Sequence, residues 1–75
     1  MRNKRNKFIE LAEKRVNKAI KQLQLIGNLS SKRNYEYDQS DYKKIFRAID
    51  GEVKSMKQKF IDADKDDKSK FKLKS

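Results

Sequence analysis

Cysteine, histidine, proline and tryptophan are all absent from this chain, and its 75 residues include only two glycines. Without cysteine there is no disulfide framework, and without cysteine and histidine no zinc site of the usual ligand type. Losing histidine also removes the commonest general base, and losing both removes the commonest nucleophile–base pairs. No glycine-rich loop that could cradle a phosphate is present. The chain therefore reads as a non-enzymatic protein with no metal and no cofactor. Long apolar runs are missing too. None approaches the roughly 18–20 residues of a membrane span, and no secretory apolar segment follows the basic start.

What the sequence has in abundance is charge. Lys and Arg number 21 against 11 Asp and Glu, a formal net charge of +10, and charged residues make up 43% of the chain. A chain of this length is one small domain at most.

The apolar residues that remain are spaced for helices. Phe8, Ala12, Val16, Ala19, Ile20, Leu23 and Ile26 recur at steps of three and four, with Ile9 at the edge, and predict a helix over about 4–26. Gly27 follows where a left-handed C-cap is expected, and Leu29 is placed to close over the last turn. Tyr42, Ile45, Phe46, Ile49, Val53, Met56 and Phe60 predict a second helix over about 39–61. Asp38 is its expected N-cap, and Asp41 three residues on resembles a capping box with Asp in place of Glu. Gly51 is the weak point of this helix and lies off its apolar stripe.

These elements predict an all-α fold, an αα-hairpin of two long antiparallel amphipathic helices. A basic arm (1–7) leads into the hairpin (4–61), and its ten-residue loop spans 28–37. A charged, mobile tail (62–75) is expected to follow. A two-helix unit has one shared face and cannot close a core around two wide stripes, so pairing into a helical bundle as a homodimer is expected. The alternative is docking on a larger protein.

The charge is unevenly placed. Residues 1–27 carry eight basic side chains against two acidic ones. Arg2, Lys4, Arg5 and Lys7 form the arm, and Lys7, Lys14, Lys18 and Lys21 share one helix face opposite the apolar stripe. A lysine face is commonly just a solvated surface. Here the total charge is extreme for the length, and the row adjoins the arm, which points to a polyanionic partner. The expected polyanion is nucleic acid, DNA or RNA, held through phosphates with low sequence specificity. No cluster suited to base readout follows a tight turn.

Lys32 and Arg33 in the loop add phosphate contacts, and Tyr35 and Tyr37 are candidates for stacking on unpaired bases. Their plainer role is to anchor the loop against the hairpin. Leu11 and Leu25 fall among the lysines. They are either ordinary surface leucines or a second contact patch for a protein partner. The run Asp62, Asp64, Asp66 and Asp67 fails the logic of a calcium loop, with Asp67 where glycine is needed and Leu73 where a bidentate Glu is needed. The alternating segment Lys70 to Lys74 lacks the second signal that stable membrane anchoring needs, so no membrane partner is expected.

The segments Phe8 to Ile20, Leu25-Ile-Gly-Asn-Leu-Ser30, Asn34-Tyr-Glu-Tyr37 and Lys44-Ile-Phe46 with Ala48 resemble a family of short, uncharacterised bacterial proteins carried by plasmids, phages and other mobile elements. The resemblance covers roughly residues 7–60 and excludes the Asp-Lys-rich tail. It implies a bacterial, cytoplasmic setting and favours a role in nucleic-acid traffic or its regulation. It carries over no functional residue. Two functions follow as expectations: a basic helical protein that binds nucleic acid, and, as the alternative, an adaptor or inhibitor docking its apolar helix face on a larger protein, whether or not that protein processes nucleic acid.

Overall fold

Asn3 opens the first helix. Its backbone is extended (φ −92°, ψ 172°), and its side-chain oxygen accepts a hydrogen bond from the Asn6 N–H at 2.8 Å. That satisfies one of the donors left without a partner at a helix start. The computed structural model describes residues 3–73, and side chains from 3 to 65. The architecture is all-α: helix α1 (Lys4–Gly27), a 3₁₀ turn (Asn28–Ser30) and helix α2 (Gln39–Leu73), with no strand among the described residues. This is the helix–loop–helix element order expected of an αα-hairpin. The chain divides into two units, Met1–Glu36 and Tyr37–Ser75.

In the first unit, α1 runs for 24 residues, about 36 Å at 1.5 Å per residue. Helix α1 starts at Lys4, where the apolar spacing places it, so Lys4, Arg5 and Lys7 of the basic segment fall in its first turns. Asn3 caps the helix just before them, and Lys and Arg are good helix formers. Gly27 departs from expectation. It is the last helical residue and stays right-handed (φ −60°, ψ −30°), and no described glycine has a positive φ. The helix ends by tightening instead: the Asn28 N–H donates to the Gln24 carbonyl, and Asn28–Ser30 form a 3₁₀ turn. Such a turn absorbs terminal carbonyls without a left-handed residue. Ser31 then anchors the loop, its carbonyl accepting from the N–H groups of Asn34 (3.1 Å) and Tyr35 (2.9 Å).

In the second unit the capping box is formed as expected. Asp38 Oδ1 accepts from the Asp41 N–H at 3.1 Å, and Asp41 Oδ2 accepts from the Asp38 N–H at 3.0 Å. The Ser40 hydroxyl also donates to Asp38 Oδ1 at 2.8 Å. From there α2 runs 35 residues, past the expected end at Ile61 to Leu73. Three features explain the extension. No glycine or proline follows Gly51, so no residue breaks the ladder. The Gln58 amide donates to Asp62 Oδ1 at 2.9 Å and spans the expected boundary. Asp62 and Lys65, three apart, place opposite charges on neighbouring turns. The segment expected as a mobile tail is thus helical through Leu73, and residues 74–75 lie outside the described residues.

No described side chain is buried. Leu11, Ala12 and Ile26 of α1 and Tyr42, Ile45 and Ile49 of α2 are half-buried, while most of both apolar stripes is exposed, Phe46 at 57% and Phe60 at 58%.

Two outcomes follow from these local structures. A Cβ at Gly51 would meet nothing within 4 Å, so G51A is expected to stabilise α2 by up to about 1 kcal/mol, read as a gain in helicity by circular dichroism. Asp38 is held below the ordinary aspartate range, first by the Ser40 hydroxyl and then by the Asp41 N–H. A lowered folded-state pKa means the cap is fully in force above the unfolded value and is lost as pH falls through the lowered one. The amide resonances of Ser40 and Asp41 should therefore shift in that acid window, and D38N should remove the shift while keeping a capping oxygen.

Candidate nucleic-acid interface

At 100° per residue, Lys7, Lys14, Lys18 and Lys21 fall within a sector of about 60°, and from first to last they span about 21 Å of the axis of α1. All four are exposed. Lys4 and Arg15, also exposed, flank the row on one side at about 60–80° from Lys7, and Glu10 borders the other. Val16, Ala19 and Leu23 lie across the helix, so the cations do not compete with the apolar stripe for the same surface. The first turn of α1 contains no acidic residue. Its cations therefore sit at the positive end of the helix dipole, an arrangement that an incoming anion relieves.

Arg5 does not join the row. Two residues before Lys7, it stands across the helix, and its guanidinium lies over the Phe8 ring, 5.7 Å from the centroid. A cation over an aromatic face is a favourable contact in itself, which ties Arg5 to the apolar side. Arg2 lies outside the described residues. Lys32 and Arg33 follow the 3₁₀ turn in the Ser31-anchored loop, both exposed.

The leucines among the lysines differ. Leu11 is half-buried although it lies off the stripe. Its helical neighbours at three and four residues are Lys7, Phe8, Lys14 and Arg15, whose long stems can cover it while their charges stay in water. Leu25, at the far end of the row, is 49% exposed. The row thus has an apolar residue near each end.

The two loop tyrosines belong to different units and have different surroundings. Tyr35 is 50% exposed and available as a stacking platform. Tyr37 is half-buried and packs edge-on against Tyr42, with centroids 6.2 Å apart, and Tyr42 in turn meets Phe46 at 5.4 Å. Tyr37 is therefore the first ring of an aromatic ladder at the start of α2.

One basic cluster escaped the sequence reading. Lys43, Arg47 and Lys54 line a shallow concavity on α2 together with Phe46, Asp50 and Gly51. Their spacing of four and seven is the signal in the sequence, and the mixed charge of α2 obscures it. Asp50 partly neutralises this cluster, whereas no acid interrupts the row on α1. The aspartates from Asp62 onward sit in a continuous helix rather than a loop, and no group of three metal-ligating side chains occurs among the described residues. No described helix is long and apolar enough to cross a membrane.

No protein-family model, no curated protein and no solved structure matches the chain.

The aromatic ladder has a direct check. Y42A should move the ring resonances of Tyr37 by removing its edge-on neighbour and leave those of Tyr35 in place.

Proposed function

We propose that the chain is a non-enzymatic protein that binds nucleic acid through phosphate contacts made by the lysine face of α1. The observation that carries this reading is the row Lys7, Lys14, Lys18 and Lys21, exposed on one face of an uninterrupted helix with an acid only at its edge. Along B-DNA, a row about 21 Å long runs beside about six phosphates of one strand, since one falls about every 3.4 Å of axis per strand. Lys4 and Arg15 widen the contact, and Lys32 and Arg33 extend the set of exposed cations in the same unit. Nothing in the row is suited to reading base edges, so affinity comes from charge neutralisation and counterion release, with low sequence specificity. Tyr35 supplies a ring that an unpaired base can stack on.

A second reading has its own observation. Phe8, Val16, Ile20 and Leu23 on α1 are exposed, as is much of the stripe on α2, which suits an adaptor that docks an apolar helix face on a larger protein. In that case charge reversal on the opposite face of α1 would leave function intact.

Fluorescence anisotropy on a mixed-sequence duplex tests the first reading. With about six phosphates neutralised, the slope of log affinity against log salt should be near −5 between about 50 and 200 mM salt. Neutralising Lys14, Lys18 and Lys21 together should reduce that slope by about three. The charge-reversed variant K14E/K18E/K21E should lose binding while keeping its helicity. Binding retained by that variant would overturn the assignment of this face.

A further inference from the structure

Along α2, Tyr42, Phe46, Ile49, Val53, Met56, Phe60 and Ala63 follow one another at alternating steps of four and three. That is the seam of a coiled coil, sustained for three heptads. It spans about 32 Å of helix, and Phe46, Val53, Met56, Phe60 and Ala63 are exposed along it. The residues that border the seam alternate in sign. One flank carries Lys43, Asp50, Lys57 and Asp64 at successive heptads, and the other carries Ile45, Glu52 and Lys59.

We propose that α2 pairs with α2 of a second copy as an antiparallel coiled coil in a single register, with Val53 of each chain against Met56 of the other. In an antiparallel pair each flank faces the same flank of its partner. The proposed register sets Lys43 against Asp64, Asp50 against Lys57, and Glu52 against Lys59, each pairing occurring twice by symmetry. Every charged flank pairing is then between opposite signs. From Phe46 to Ala63 the seam layers become Phe46 on Ala63, Ile49 on Phe60 and Val53 on Met56, so the smallest side chain of the seam meets a phenylalanine.

Sliding one chain by a heptad reverses the electrostatics. In one direction Lys43 faces Lys57, Asp50 faces Asp50 and Glu52 faces Glu52. In the other, Asp50 faces Asp64, Lys57 faces Lys57 and Lys59 faces Lys59. Charges flanking a coiled-coil seam set partner and register in this way, by repulsion in the wrong alignment as well as attraction in the right one. A parallel pair would also find opposite signs, Glu52 with Lys57 and Lys59 with Asp64. It would, however, stack Phe46 on Phe46 and Phe60 on Phe60 while leaving Ala63 on Ala63, a poor match of volumes. It would also align the two helix dipoles. The corresponding seam of α1 (Ile9, Ala12, Val16, Ala19, Leu23 and Ile26) has only Glu13 and Arg15 as charged flanking residues and encodes no such alignment.

This inference does not rest on nucleic-acid binding, and its test uses the protein alone. The full-length chain is examined by sedimentation equilibrium as wild type, D50K, K57D and the double variant D50K/K57D. Each single change places like charges at two symmetry-related sites and should weaken the dimer about tenfold or more, whereas the double variant restores both pairings and should return close to wild type. The singles move net charge in opposite directions, so weakening in both cannot come from total charge. In a parallel pair the double variant would leave Asp at position 57 facing Glu52, with no rescue. A second measurement fixes orientation without relying on these charges. The chain has no cysteine of its own, so F46C mixed with A63C should give the mixed disulfide on oxidation. A homodisulfide of F46C without the mixed species, a wild-type chain monomeric at every concentration, or a double variant no better than the singles would each overturn the proposal.

Discussion

A helix that buries no side chain is held by its backbone ladder and by whatever satisfies its ends. Among the described residues both helices of this chain are in that position, and in both the N-terminal cap is closed by side-chain hydrogen bonds. Starting a helix is the costly step, because several residues are ordered before the first backbone bond is gained. Asn3 and the reciprocal Asp38–Asp41 pair place side-chain oxygens where that cost falls. Once each start is set, the angular position of every later residue follows from it. The lysine row on α1 and the seam on α2 exist only as consequences of those two starting points and of an unbroken ladder beyond them.

Apolar spacing made both helices legible in the sequence, and the short polar side chain of Asp38 ahead of a helical pattern made the second start legible as well. The ends were harder to read for a physical reason. A glycine after a helical stretch signals termination because it tolerates a left-handed turn, but a chain can also stop by tightening into a 3₁₀ turn, and Gly27 takes that course. The charged segment after Ile61 has the composition of a mobile tail. Composition reports whether a segment has enough apolar surface to bury, not whether its ladder is interrupted, and nothing between Gly51 and Leu73 interrupts it. At the candidate site the lysine row was readable because it depends only on register. The diversion of Arg5 onto Phe8 and of Tyr37 onto Tyr42 was not, since each is settled by which ring lies within reach of that side chain.

The same two charge types are laid out differently on the two helices. On α1, cations of one sign occupy the face opposite the apolar stripe, where their potentials add and reach into solvent. On α2, Lys and acidic residues alternate beside the stripe, where the long-range field largely cancels and only close neighbours feel it. A net charge summed over the chain cannot separate these cases. The first pattern is the basis of the proposed phosphate binding, and the second of the proposed alignment of α2 with its copy.

The capping bonds and the Gln58–Asp62 bridge each span two to four residues. Forming such bonds requires no closure of a long loop, so each helix can appear on the sub-microsecond to microsecond timescale of helix–coil relaxation. In the α2 pairing proposed above, covering the stripe is a second-order step, so its rate depends on concentration as well as on diffusion. On that proposal, the abundance of the chain sets how much of it is paired, while the helices themselves form at a rate that does not depend on it.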